Sequence, residues 1–183
     1  EIKPSPKTTK SYTSIVFTPD YKEFKLDPIK FFPTLKKILQ TRAWQAAAYT
    51  KAKVYFNAEL SPIKSFEDFC QMFSVIEVMH TTMTQPSGLY DWDICLSVSD
   101  GKERHLSIVN GVYIPKGGTH IKHIQDQLIQ NLRANVEKEL KKSGVKFNKN
   151  YITNNVFVFM KGAIPSPEFM SQTKEAISDP IEK

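Results

Sequence analysis

The chain has 183 residues, 40% hydrophobic and 24% charged, with 25 Lys+Arg against 19 Asp+Glu for a formal charge of +6. That length suits one domain, or one domain with a tail, and the composition excludes wholesale disorder. No apolar run approaches the roughly 18 residues that span a bilayer, and the opening Glu1-Ile2-Lys3-Pro4 has neither an apolar signal stretch nor a Met, so the reading is a fragment that is neither secreted nor membrane-bound.

Residues 1–10, with Pro4 and Pro6, form a polar lead-in. Residues 11–18 (SYTSIVFT) predict a strand that Pro19-Asp20 ends. Residues 28–58 hold no Asp or Glu, and Phe31, Leu35, Ile38, Leu39, Ala43 and Ala47 recur at helical spacing. A helix is predicted over roughly 33–49, with Pro33 near its start and its cations on a solvated face. Residues 53–57 predict a second strand, and Ser65 with Asp68 predicts a capping box opening a short helix through Phe66, Phe69 and Cys70. Residues 77–90 read as an insertion or an irregular strand with a loop. Residues 91–99 and 106–114 predict strands, and Asp100-Gly101 between them predicts a hairpin. Thr119 is read as the cap of a long helix whose stripe is Ile121, Ile124, Leu128, Leu132, Val136 and Leu140, with Gly144 ending it. Residues 155–160 predict a last strand, followed by a loop through Pro165-Ser166-Pro167. This order predicts an α+β domain, a mixed sheet with helices on one face, over 11–183.

Three constellations can carry chemistry. Lys116-Gly117-Gly118-Thr119-His120 lies between a strand and a helix N-terminus; it can hold a phosphate, or it is a capped strand-to-helix turn, which is ordinary Gly-Gly chemistry. The spacing is neither GxxxxGK[ST] nor GxGxxG. Residues 133–149 carry Arg133, Lys138, Lys141, Lys142, Lys146 and Lys149 against Glu137 and Glu139. They suit loose phosphate contact, or equally an exposed helix end stabilised by cations. Gln172-Thr173-Lys174 follows a core strand and a proline-stiffened loop. Lys174 there is an idle surface lysine, or an ammonium delivered to a fixed phosphoryl oxygen with the Gln172 amide as a second donor. His120 and His123 lack further ligands, so no metal site is expected. Cys70 and Cys95, without a CxxC partner, are expected as buried thiols in a reducing compartment.

Taken in order, Ser107-Ile108-Val109-Asn110-Gly111, Lys116-Gly117-Gly118-Thr119-His120, the long helix, the lysine-rich loop, residues 155–159 (NVFVF) and Ser171-Gln172-Thr173-Lys174-Glu175 resemble the transducer domain in the ATPase region of type IIA DNA topoisomerases, of the GHKL family. The chain is closer to eukaryotic-type enzymes than to bacterial gyrase. It departs from the family in having only Arg42 in the first helix and Ser166-Pro167 before the last phenylalanine, a drift that a viral or distant lineage would explain. The resemblance implies a left-handed βαβ crossover and an ATP-hydrolysing enzyme that passes one DNA duplex through another. It implies that Gln172 and Lys174 contact the ATP γ-phosphate, and that Gly117, Gly118 and Thr119 are structural. It implies that Lys138, Lys141, Lys142, Lys146 and Lys149 sense DNA. ATP and Mg2+ would be held mainly by an upstream GHKL domain, leaving this fragment inactive alone. Implied partners are double-stranded DNA, that upstream domain, the DNA-cleavage core of the same chain and a second copy in a homodimer. The implied location is the nucleus, or a cytoplasmic replication site or virion in a viral lineage. The rival reading is a stand-alone basic nucleic-acid-binding module with no nucleotide contact.

Overall fold

The computed structural model describes residues 12–84 and 91–178, in two compact units, Glu1–Leu39 and Gln40–Lys183. The expected lead-in at 1–10 and the end of the 77–90 segment lie outside the described residues.

In the first unit residues 12–20 form no regular element, and the strand expected at 11–18 pairs with no other strand among the described residues. Its apolar side chains face outward, Val16 at 92% exposure. An Asp20 carboxylate oxygen accepts from the amides of Lys22 and Glu23, closing a turn. Asp27 does the same for Ile29 at 2.9 Å and Lys30 at 3.4 Å. That cap opens helix α1, Pro28–Tyr49, whose residues from Gln40 onward belong to the second unit. The helix therefore starts five residues before the expected position, with Pro28 in the first turn where its missing N–H costs nothing. Pro33 lies inside the helix and leaves one rung unmade.

In the second unit the strand expected at 53–57 shrinks to a two-residue ribbon, β1 (Tyr55–Phe56) against β2 (Glu59–Leu60), turned by Asn57 and Ala58 at positive φ. Helix α2, Phe66–Gln71, carries the capping box: Ser65 Oγ accepts from the Asp68 amide, and the Asp68 carboxylate accepts from the Ser65 amide, each at 3.0 Å.

The main sheet comprises β3 (Met79–Thr84), β4 (Asp91–Val98), β5 (Arg104–Val109), β6 (Val112–Tyr113) and β7 (Val156–Gly162), in the order β3-β4-β7-β5-β6. The expected hairpin between 91–99 and 106–114 does not form, because β7 inserts between β4 and β5. It pairs antiparallel with β4 and parallel with β5. The tight turn is instead Asn110-Gly111, both residues at positive φ, joining β5 to β6. The connection from β5 to its parallel neighbour β7 runs through helices α3 (Thr119–Ser143) and α4 (Lys149–Asn155), the latter without a counterpart among the expected elements.

Alternation along the strands builds two cores. Cys95, Leu106, Ile108, Phe157 and Phe159 meet Ala47 and Ala48 of α1 and Phe66, Phe69 and Cys70 of α2. Trp92, Ile94, Val109, Val158 and Met160 face the other way, onto Ile121 and Ile124 of α3. The sheet is thus covered on both faces, not on the one face expected. Two faces follow from the nearly continuous apolar run of β7, since a strand buried on both sides has no polar row to expose. Cys70 and Cys95 are free and buried in the first core, and burial pushes the Cys70 thiol up.

Candidate functional site

The two glycines before α3 are fixed by what approaches them. Gly118 stands at φ 138°, and a Cβ built there would lie 2.1 Å from the carbonyl oxygen of Ile177. At Gly117, at φ 65°, a Cβ would lie 2.7 Å from His105 Nε2. The Gly118 backbone with Ile177 this close admits only glycine, and at Gly117 a side chain would displace the His105 ring. Ile177, 1% exposed, thereby runs alongside the turn: its amide donates to the Gly117 carbonyl at 3.0 Å, and its carbonyl accepts from the Thr119 amide at 3.3 Å.

The start of α3 is therefore capped by a distant carbonyl and not by Thr119, the residue expected to cap it. Gly118 is the cap residue, no side-chain cap bond forms, and Thr119 Oγ1 is buried without a hydrogen-bond partner among the described residues.

His120 is fully buried and its Nε2 lies 2.9 Å from Ser107 Oγ on β5. Ser107 Oγ also lies 3.4 Å from the Ile114 carbonyl; with its hydroxyl donated there, the imidazole donates from Nε2 to the serine. Nδ1 is buried without a partner among the described residues. A second proton would have no acceptor, and desolvation, with the neighbouring His105 adding to it, lowers the pKa to about 4.

The segment after β7 forms a loop clamped at its base. Phe169 bridges Ile177, the Met170 amide donates to the Ala176 carbonyl at 3.0 Å, and the Ser178 amide donates to the Glu168 carbonyl at 3.1 Å. Between these stems, Gln172, Thr173 and Lys174 are exposed. The Lys174 amide closes a turn onto the Ser171 carbonyl, and Lys174 itself is held at φ 55°. A non-glycine residue in that left-handed region stores a small strain. Its ammonium lies 5.4 Å from the centroid of the Phe169 ring. Next to it, Glu175 turns back onto the α3 turn: its carboxylate pairs with Lys116 Nζ, and its carbonyl accepts from the Lys116 amide at 2.8 Å.

Two constellations that the sequence shows as separate, at 116–120 and 171–175, are thus one structure. Their link through Glu175 and Ile177 has no local signal, because a pairing between segments this far apart leaves no periodicity to read.

The lysines expected to act together are divided by the structure. Lys141 and Lys146 line a cleft of about 320 Å3 with Arg133, while Lys149 lines another of about 340 Å3 with Lys116 and Lys122. Lys142 is exposed near the end of α3, which Gly144 closes at φ 71°; the side chain of Lys138 lies outside the described residues. Lys141 pairs at 3.2 Å with Glu137 one turn back. Among the described residues no group of three His, Cys, Asp or Glu side chains can hold a metal ion.

This architecture has known counterparts. The sequence profile of the family described as DNA gyrase B matches residues 46–181. Human DNA topoisomerase 2-alpha is 29% identical over 185 aligned residues, 96% of this chain and 12% of that protein; mouse DNA topoisomerase 2-beta is 30% identical over 90% of this chain and 10% of that protein. The chain thus spans between a tenth and an eighth of the length of these curated relatives. Among solved structures, the ATPase and transducer domains of DNA topoisomerase II from Balamuthia mandrillaris superpose with a TM-score of 0.66 at 26% identity, covering 78% of this chain and 35% of that one. The ATPase region of Saccharomyces cerevisiae topoisomerase II shares the fold with a TM-score of 0.65 at 23% identity, over the same shares of the two chains. With the profile spanning most of the sheet, α3 and the 170–176 loop, the chain belongs to the DNA gyrase B family.

Proposed function

We propose that this chain is the transducer segment of an ATP-dependent type IIA topoisomerase, in which Lys174 senses the γ-phosphate of ATP. The observation that carries the reading is the build of the 170–176 loop. Its stems are stitched to each other and to the start of α3, while its tip holds an ammonium and an amide out to solvent. A clamped base with an exposed cationic tip suits contact with an anion held by a separate domain, since the cation arrives already positioned.

ATP and Mg2+ belong in this reading to the upstream GHKL domain. This chain's own share is the Lys174 charge on a terminal phosphoryl oxygen and a hydrogen bond from the Gln172 amide. Phe169 fits that role, because an aromatic face holds an ammonium weakly, by about 0.5–1 kcal/mol at an exposed site, and a phosphoryl oxygen outcompetes it. Holding the phosphoryl ties the two domains together and closes the N-terminal gate of a dimer. Hydrolysis removes the tie and lets the domains swing, which signals the DNA-cleaving core. Lys138, Lys141, Lys142, Lys146 and Lys149 contact the phosphates of double-stranded DNA without reading its bases.

In the complete enzyme, Lys174→Ala is expected to lower ATP turnover about 100-fold, the scale of losing one charge-stabilising donor, while nucleotide binding stays measurable. Steady-state hydrolysis alongside equilibrium binding of a non-hydrolysable ATP analogue checks this. Undiminished turnover would remove Lys174 from the reaction and favour the nucleic-acid-binding module that needs no nucleotide.

A further inference from the structure

The start of α3 and the 170–176 loop meet through two kinds of contact. One is main chain: Ile177 lies along Gly117, Gly118 and Thr119, at a distance that admits no side chain at Gly118. The other is Lys116. Its amide donates to the Glu175 carbonyl and its ammonium pairs with the Glu175 carboxylate, so this one residue grips its partner from both sides of the peptide. Glu175 directly follows Lys174, whose own backbone is fixed by the turn onto Ser171 and by its left-handed conformation. A shift of Glu175 along the α3 turn therefore carries Lys174 with it.

We propose that Lys116 is a positioning residue for the nucleotide-sensing loop, acting through Glu175 to set where the Lys174 ammonium stands. This rests on the γ-phosphate reading of Lys174 given above. The Lys116–Glu175 pair is solvent-exposed, at 69% and 40% for the two side chains, and such a pair contributes little to stability. Its consequence is placement. Reaction rates are steep in the position of a charge-stabilising group, and a displacement of about 1 Å lowers them about 100-fold. Removal of the pair while the main-chain contacts stay is expected to produce a smaller displacement and a smaller loss.

Charge exchange separates placement from mere presence. In the complete enzyme, Lys116→Glu and Glu175→Lys are each expected to lower kcat for ATP hydrolysis about tenfold. The affinity for a non-hydrolysable ATP analogue stays within about twofold, because the nucleotide's main contacts lie in another domain. The double variant, with the charges exchanged, is expected to recover most of the missing turnover, which no independent role of Lys116 would give. Hydrogen exchange supplies a readout that does not involve ATP: the amides of Lys116 and Thr119, which donate into the loop, exchange faster in each single variant and return in the double.

Single variants with unchanged turnover, or a double variant no better than the singles, would overturn the proposal provided Lys174→Ala is itself impaired. If Lys174→Ala is fully active, the γ-phosphate reading fails instead, and the exchange rates alone then decide whether Lys116 seats the loop. Unaltered exchange in both single variants would end the proposal on that count as well.

Discussion

Gly118 and Gly144 both stand at positive φ, yet the structure gives them different weights. A Cβ at Gly144 meets nothing within 4 Å, so Gly144→Ala carries only the left-handed backbone cost of about 1–2 kcal/mol. At Gly118 the same substitution adds a collision with the Ile177 backbone, which no side-chain rotation relieves. Gly118→Ala is expected to cost more than about 3 kcal/mol, at the upper end of backbone strain, because the collision adds to it. Urea unfolding of the two variants side by side checks the ranking; equal losses would mean that the loop does not sit against the turn. His120 gives a second expectation at this scale. Its folded pKa of about 4 lies below the ordinary 6.5, so between those values the unfolded chain binds the extra proton and the folded chain does not. Stability is therefore complete above pH 6.5 and falls as the pH drops toward 4, by roughly 3 kcal/mol in all. Unfolding measured from pH 7 to pH 4 should show this slope, and His120→Gln should remove its share of it. The sequence marks His120 only as a helix residue one turn from His123. Its burial depends on Ser107 from another element, which no local pattern reveals.

Among the elements, those with strong internal signals are legible in the sequence and those defined by partners are not. The capping box at Ser65 and Asp68 and the apolar stripe ending at Gly144 are local chemistry, and both elements lie where the residues place them. The start of α1 lies upstream of the expected one because Pro33 draws the boundary, although Asp27-Pro28 is the better cap-and-first-turn signal. The hairpin between β4 and β5 fails for a different reason. Asp100-Gly101 is a sound turn signal, but the choice of neighbour is settled by where the apolar β7 inserts, which is a property of the sheet as a whole. The residues of α4 are polar and short of a stripe, so nothing in them announces a helix. The candidate site follows the same rule: its two halves are visible as motifs, and their joining through Glu175 and Ile177 is not. The lysines of α3 and of the segment after it carry their own expectation. If Lys141, Lys142, Lys146 and Lys149 neutralise DNA phosphates, replacing all four with Ala in the complete enzyme should flatten the salt dependence of duplex affinity. The slope should fall by about 0.9 for each phosphate that is no longer neutralised. An unchanged slope would show that the duplex is held elsewhere.

At the scale of the whole molecule, α3 has the 170–176 loop seated at its first turn and exposed lysines near its last. A helix of 25 residues is about 37 Å long, so the proposed nucleotide contact and the proposed DNA contact of Lys141 and Lys142 lie at opposite ends of one rigid element, while Lys149 lines the cleft shared with Lys116 and Lys122 beside its first turns. That arrangement has meaning only if Lys174 reaches a nucleotide bound by another domain. The most direct test uses an ATP analogue whose γ-phosphate carries an acyl group. A lysine amine beside that phosphate attacks the acyl carbonyl, forms an amide and releases ATP. Incubated with the complete enzyme and mapped by peptide mass spectrometry, the analogue is expected to acylate Lys174, with the label abolished by excess ATP. Labelling confined to other lysines, with Lys174 unmodified while the nucleotide site is occupied, would contradict the claim that this loop touches the γ-phosphate.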